Sequence, residues 1–479
     1  MNGYVTDKAG FDIVIANPPY LGEKGYKEKF REIKLGFLKD YYQSKMDIFY
    51  FFFHLGINFV KKDGVITFIT TNYFPTADGA VKLRKSFKES VDVAQLINLN
   101  EFKVFDSALG QHNLITVLKK SRKSTPTKLA IVQRKNQTGS AILRDILSGI
   151  DSETSYSIRN EIFEGESNYI RITSSNESKE SNDLFDKIRN NSERLDSIVN
   201  INSGCDVTIS RITDKHLESF ARVKANKGDG VFVLNSQEIK SLQKELSKSE
   251  KALIKTFIKN SDIGQFEYRI SEDYLLYIQW DEIQKNIPNL INHLSRFKPI
   301  LQDQVVRYEE PNWPWYAIHR PREQAIFESN LKILVPYRSK INAFAICEEP
   351  IYSSRDVFFL TNNKKSKISL YAITAILNSK LIFYWLFHKG KRKGDTLELY
   401  NTPLSEIPIN KKLINNAKLF ETKAIEITTR KSENKNYKNI TMEIDSLTFK
   451  LYDLTYDEVL IIDPEFSLSK KEYEAIKLE

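Results

Sequence analysis

Apolar and polar positions along the first 120 residues switch between two periods. Phe11-Asp12-Ile13-Val14-Ile15-Ala16, Val65–Thr70, Val93–Leu99 and Leu114–Leu118 are short runs rich in β-branched residues and read as strands. Met46–Val60 and Val81–Ser90 carry apolar residues at helical spacing, the first with an aromatic face. Lys61-Lys62-Asp63-Gly64 reads as a turn. Continuous apolar strands separated by amphipathic helices predict an α/β fold, its parallel sheet covered on both faces.

The pattern changes after residue 118. Lys119–Pro126 and Ser174–Asn182 are almost free of apolar side chains and read as loops or domain edges. From about 195 to 408 the chain carries short strands, many aromatics and helices such as Leu370–Phe387. A polar helical tail follows. The expected division is 1–120, a connecting segment at 121–194, a second domain at 195–410 and a helical tail at 411–479, without internal repeats.

Composition narrows the function classes. With 479 residues, 41% of them apolar and 12% aromatic, the chain is long and apolar enough for two or three globular domains. A net charge of +9 and a pI near 9.0 favour a polyanionic partner such as nucleic acid. Two cysteines, Cys205 and Cys347, imply no disulfide framework, and six scattered histidines offer no metal-ligand spacing. The apolar run Ile48–Val60 contains His54 and Asn58 and is too short to span a bilayer; Met1-Asn2-Gly3-Tyr4 lacks a signal-peptide layout. A cytoplasmic setting with no membrane partner is expected.

The strand Phe11–Ala16 runs straight into Asn17-Pro18-Pro19-Tyr20. A Pro-Pro turn after a strand can be purely structural. An exocyclic amine on a nucleobase, however, is a poor nucleophile because its lone pair is delocalised into the ring. The Asn17 side-chain oxygen and the Pro18 carbonyl can accept its two N–H bonds and hold the nitrogen in line with a methyl donor. The first proline fixes the turn, and Tyr20 can stack on a base swung out of the duplex.

Phe11–Tyr20 resembles the catalytic motif of TaqI-type N6-adenine DNA methyltransferases and the related single-chain type II restriction–modification enzymes. Asp47-Ile48-Phe49-Tyr50, Gly64–Asn72, Leu83-Arg84, Val104-Phe105 and Leu114–Leu118 are similar to the segments that follow in that family. Ile198–Asp206, Lys332–Pro336, Tyr352-Ser353, Leu377–Leu381 with Tyr384, and Ile444-Asp445 with Leu451–Thr455 resemble its target-recognition domain and C-terminal helix. The resemblance implies a partial Rossmann-like methyltransferase sheet, an α+β target-recognition domain and a helical tail. It also implies methyl transfer from S-adenosylmethionine to adenine N6 in double-stranded DNA. Asn17 and Pro18 would be the amine acceptors, Tyr20 the stacking ring and Phe105 the opposing face. Cytosine N4 methylation uses a related turn, more often with Ser or Asp first, so Asn17 favours adenine.

The family places its glycine-rich cofactor turn upstream of this motif, whereas only sixteen residues precede Asn17 here. Gly228-Asp229-Gly230 reads as a hairpin turn, not a displaced cofactor loop. The expectation is a truncated or split form whose apolar strand is left with an open edge, with an upstream-encoded polypeptide supplying the cofactor-binding half. A rival is a catalytically inactive DNA-specificity subunit or remnant. In the second half Arg320, Arg322, Arg338 and Lys340 flank aromatic residues, and Lys389, Lys391, Arg392 and Lys393 form a cationic run; these are the candidate DNA contacts. The Trp313-Pro314-Trp315 run suits a folding core better than a stacking platform.

Overall fold

The computed structural model describes residues 10–105, 112–121, 125–134, 137–165, 167–170, 172, 179–363 and 366–478. The chain divides into two compact units, Met1–Ser178 and Lys179–Glu479. Gly3, residues 122–124 of the first polar stretch and 174–178 of the second lie outside the described residues.

The first unit holds a six-stranded sheet. In chain order its elements are β1 (Phe11–Ala16), α1 (Lys27–Leu35), α2 (Phe49–Phe59), β2 (Val60–Thr71), α3 (Val81–Ser90), β3 (Asp92–Asn100), β4 (Asn113–Lys119), β5 (Thr127–Val132), α4 (Ser140–Ser148) and β6 (Thr154–Arg159). The strand order is β1-β2-β4-β3-β5-β6. β1 runs parallel to β2 and β3 parallel to β5, while β4 is antiparallel to both β2 and β3. The sheet is therefore mixed, not wholly parallel as the apolar runs suggested. Among the described residues no helix separates β3 from β4, and β4 lies between β2 and β3.

One face of the sheet is covered by α2 and α3, where Ile66, Phe68, Leu114 and Leu118 pack with Phe53, Leu83 and Phe87. On the other face α4 covers only the β3–β5 side, through Ile97, Leu99, Val132 and Ile146. At β1 this second face is open: Phe11, Ile13 and Ile15 are 63%, 59% and 76% exposed. The expectation of a sheet covered on both faces fails there.

The Lys61–Gly64 signal marks an irregularity inside β2 and not a turn before it. The β1–β2 register shifts between Phe11 and Ile13, and Asp63 adopts φ +63°. Gly64 passes so close to β1 that a Cβ would lie 2.8 Å from the Asp12 carbonyl. Residues 121–194, expected as a connector, instead supply β5, α4 and β6 to the first sheet. The continuous apolar run Leu129–Val132 is buried as an interior strand, whatever the polarity of the loop before it.

The second unit contains two four-stranded sheets. Val199–Ser203, Val357–Asn362, Lys332–Pro336 and Ala345–Cys347 form one; Val233–Asn235, Asp273–Leu276, Ile254–Ile258 and Tyr352–Ser353 form the other. The helices Leu370–Leu377, Lys380–Lys389, Leu413–Ser432 and Lys438–Leu451 share a core with the first sheet. Phe420, Ile427, Ile444 and Phe449 lie in the same cluster as Ile333 and Leu360, so the helical tail is integral to this unit. Trp313 is buried in the core of the other sheet, its indole N–H donating to the Ala317 carbonyl at 3.0 Å. Among the described residues no single helix is long and apolar enough to cross a membrane, and no group of metal-ligating side chains converges.

Candidate active site

The parallel pairing of β1 with β2 ends at Ala16 opposite Phe68, and the chain leaves the sheet at Asn17. Asn17 is exposed, Pro18 buried and Tyr20 half-buried. The Tyr20 hydroxyl lies 2.8 Å from Asn17 Oδ1 and 3.1 Å from the Ile69 carbonyl. Burial raises the phenol above its ordinary range, with a hydrogen bond from Asn113 opposing the shift, so Tyr20 is a donor at neutral pH. It has one proton for two acceptors. Its ring meets Phe49 edge-on, centroids 6.0 Å apart.

The turn is tied down from α2. The Leu21 N–H donates to Asp47 Oδ1 at 3.0 Å, and the same oxygen lies 3.4 Å from the Phe49 N–H. Burial pushes the Asp47 carboxyl up. One carboxylate thereby couples the segment after Tyr20 to the first residue of α2. The same end of the sheet gathers side-chain amides: Asn72 donates to Asn98 Oδ1 at 3.2 Å, and Asn113 Nδ2 lies 3.4 Å from the Thr70 carbonyl. An exposed amide oxygen, oriented by a neutral phenol beside an aromatic wall, is equipped to accept a hydrogen bond from an amine.

Phe105 is half-exposed at the end of the first described stretch. Among the described residues the ring contact of Tyr20 is with Phe49 and not with Phe105. The candidate DNA contacts of the second unit separate into two kinds. Arg320, Arg322, Arg338, Lys340 and Lys393 are exposed, Arg338 beside Glu398 at 2.9 Å. Lys389 is buried with its ammonium 4.4 Å from the Phe185 ring, and Arg392 and Lys391 lie over Phe387 and Tyr400 at 3.8 and 5.2 Å. The cationic run thus spends much of its charge on aromatic faces.

Residues 2–105 match the model of the Eco57I restriction-modification methylase family, and residues 255–409 match the TaqI-like C-terminal specificity domain. The chain thus carries a methylase segment and a specificity-domain segment that are both similar to those of restriction–modification methyltransferases. Type II methyltransferase M.HindII of Haemophilus influenzae (strain ATCC 51907 / DSM 11121 / KW20 / Rd) is 28% identical over 434 residues, 85% of this chain and 76% of that protein. Type II methyltransferase M.HincII of Haemophilus influenzae is 28% identical over 428 residues, 85% of this chain and 75% of that protein. Among solved structures, the Type IIL restriction-modification enzyme MmeI, determined in complex with DNA, superposes with a TM-score of 0.58 at 12% identity. The match covers 97% of this chain and 57% of that one, and shows a shared fold.

Asn17, Pro18, Tyr20 and Phe105 fall in the methylase match, and all eight candidate cations fall in the specificity-domain match. Sequence reading missed the contacts of Asp47 and Asn113. An acidic residue just before an aromatic helix is an N-terminal signal that could have found Asp47. Nothing in the strand Asn113–Lys119 announces that Asn113 would reach Tyr20.

Proposed function

We propose that the chain carries the base-binding side of a site-specific DNA methyltransferase acting on adenine N6. The observation that carries the reading is Asn17 Oδ1, exposed at the end of β1 and oriented by the Tyr20 hydroxyl. Double-stranded DNA is the substrate. The adenine is flipped from the stack and its amine bonds to Asn17 and the Pro18 carbonyl. Tyr20 stacks on one face and Phe105 closes the other. Arg320, Arg322, Arg338, Lys340 and Lys393 contact DNA directly, while Lys389, Lys391 and Arg392 shape the surface beside it. Such a substrate, and two free buried cysteines, suit the cytoplasm.

S-adenosylmethionine is the methyl donor in this reading. Among the described residues no glycine-rich turn follows a strand of the first sheet, so the residues at hand serve the acceptor base and not the donor. Among the described residues the outer edge of β1 and its apolar face are uncovered. An upstream-encoded polypeptide would add a strand beside β1, cover Phe11, Ile13 and Ile15, and bring the donor cradle. The test is labelled methyl transfer to unmethylated DNA by the chain together with that polypeptide. Incorporation that depends on both, and is lost with Asn17→Ala, is expected. Incorporation unaffected by Asn17→Ala removes the reading.

A further inference from the structure

Three segments of the second unit converge on one exposed spot through backbone hydrogen bonds. The Gly204 N–H donates to the Val357 carbonyl at 2.9 Å, Cys205 to Ser353 at 2.8 Å and Asp206 to Arg320 at 2.9 Å. The approach is so close that a Cβ on Gly204 would lie 2.2 Å from the Ser354 carbonyl oxygen. Asp206, Arg320, Arg322 and Arg355 are therefore delivered together by a rigid ladder.

Behind them His319 is fully buried between the rings of Tyr308 and Trp313, at 4.3 and 4.5 Å. Its Nδ1 lies 3.4 Å from Asp206 Oδ2. Its Nε2 lies 3.2 Å from Glu310 Oε1 but is not aligned for a hydrogen bond. One imidazole thus sits between two carboxylates, and each carboxylate faces an arginine: Asp206 Oδ1 is 3.8 Å from Arg355, and Glu310 Oε1 is 3.8 Å from Arg320. Both arginine side chains remain 55% exposed. Arg322 holds a left-handed φ of +64°, uncommon for a residue with a Cβ, and reaches Ser203 Oγ at 3.1 Å.

The chemistry of the group discriminates between two ways of meeting DNA. A phosphate contact needs positive charge alone, and two carboxylates beside the guanidiniums would repel it. A guanine edge offers two coplanar acceptors that match an arginine fork, and a carboxylate 3.8 Å from the fork holds it nearby by charge without competing for the base. We propose that Arg320 and Arg355, oriented by Glu310 and Asp206 across His319, read guanine edges in the major groove. His319 is a positioning residue. The inference rests on the DNA-binding reading above and assigns specificity to residues within it.

The test uses the full chain and a random-sequence duplex pool. Bound duplexes are sequenced, and affinities for the enriched motif and a scrambled duplex are then measured across salt. The wild-type chain is expected to enrich a guanine-containing motif. Arg320→Gln and Arg355→Gln should each relax a guanine position and lower affinity for the motif by about ten-fold. Scrambled-duplex affinity and the salt slope should stay unchanged. His319→Ala should relax both positions while both arginines remain. Equal losses on motif and scrambled DNA, with a salt slope smaller by about one, would show phosphate contacts and overturn the proposal. An unchanged motif in both arginine variants, or duplex binding without any enriched motif, overturns it too. A wild-type chain that binds no duplex overturns the DNA-binding reading itself, and this inference with it.

Discussion

The Tyr20 hydroxyl donates across 2.8 Å to Asn17 Oδ1, the atom that the proposed reaction uses to accept an adenine N–H. The Ile69 carbonyl, 3.1 Å away, gives the same proton a second resting place. Tyr20→Phe keeps the ring and removes the orienting bond. In the methylating assembly its kcat should fall about ten-fold with little change in KM for DNA. Tyr20→Ala should raise KM as well, because stacking on a base is worth about 1–3 kcal/mol. Asn17→Ala should cost on the order of 100- to 1000-fold in kcat. A Tyr20→Phe variant with wild-type kinetics would deny the hydroxyl any role.

The exposed residues of β1 predict how the chain behaves in isolation. An apolar strand with one free edge is a template for pairing with another copy. Purified alone, the chain should self-associate in a concentration-dependent way by light scattering. Ile13→Lys with Ile15→Lys should reduce that association and also block addition of the polypeptide proposed to cover β1. A double variant that self-associates like the wild type would place the sticky surface elsewhere.

Asp445 predicts a pH dependence of stability. It is buried within Lys438–Leu451, and its Oδ1 accepts the Lys380 N–H at 2.7 Å at the start of the neighbouring helix Lys380–Lys389. Burial pushes its carboxyl up to about 7, with nearby Asp463 adding to the shift and Lys380 opposing it. The folded state therefore holds a proton that the unfolded chain releases near pH 4. The stabilising contribution is complete below about pH 4 and is lost as pH rises toward 7, by at most about 4 kcal/mol. Asp445→Asn keeps an oxygen for the Lys380 N–H and cannot ionise. Thermal melts between pH 5 and 8 should show a decline in the wild type that is much flatter in the variant. Parallel declines would mean that Asp445 does not titrate in this range.

Lys393 and Lys389 sit four residues apart and should fail differently. Lys393 is exposed, so Lys393→Ala should reduce the salt slope of DNA binding by about 0.9 per lost phosphate contact. Lys389 is buried against Phe185. Lys389→Ala should lower the melting temperature and leave the salt slope in place. The reverse pattern would contradict the assignment of the two side chains.

Local signals reached the fold where they needed no partner. Phe11–Ala16 and Val81–Ser90 form over the residues that the apolar pattern marks: Val14 and Ala16 pack half-buried against the α2 cluster, and Leu83 and Phe87 are buried in it. Pairing direction was not legible: β4 runs antiparallel between β2 and β3, and its apolar run reads the same in either direction. Lys61–Gly64 carried turn chemistry but was absorbed as a bulge, since Val60 and Val65 on either side both pair with β1. At the site, Asn17, Pro18 and Tyr20 could be chosen from sequence because they lie within one four-residue run. Asn113 and the Ile69 carbonyl reach Tyr20 only after β2 and β4 have paired. The His319 cluster was invisible for the same reason, as its carboxylates come from positions 206 and 310.

The most direct measurement replaces the Asn17 codon with alanine at the native locus and maps modified bases across that genome before and after. The account predicts that adenine-N6 methylation disappears from one sequence motif while every other mark persists. An unchanged pattern, or the loss of a mark on cytosine instead, would contradict it.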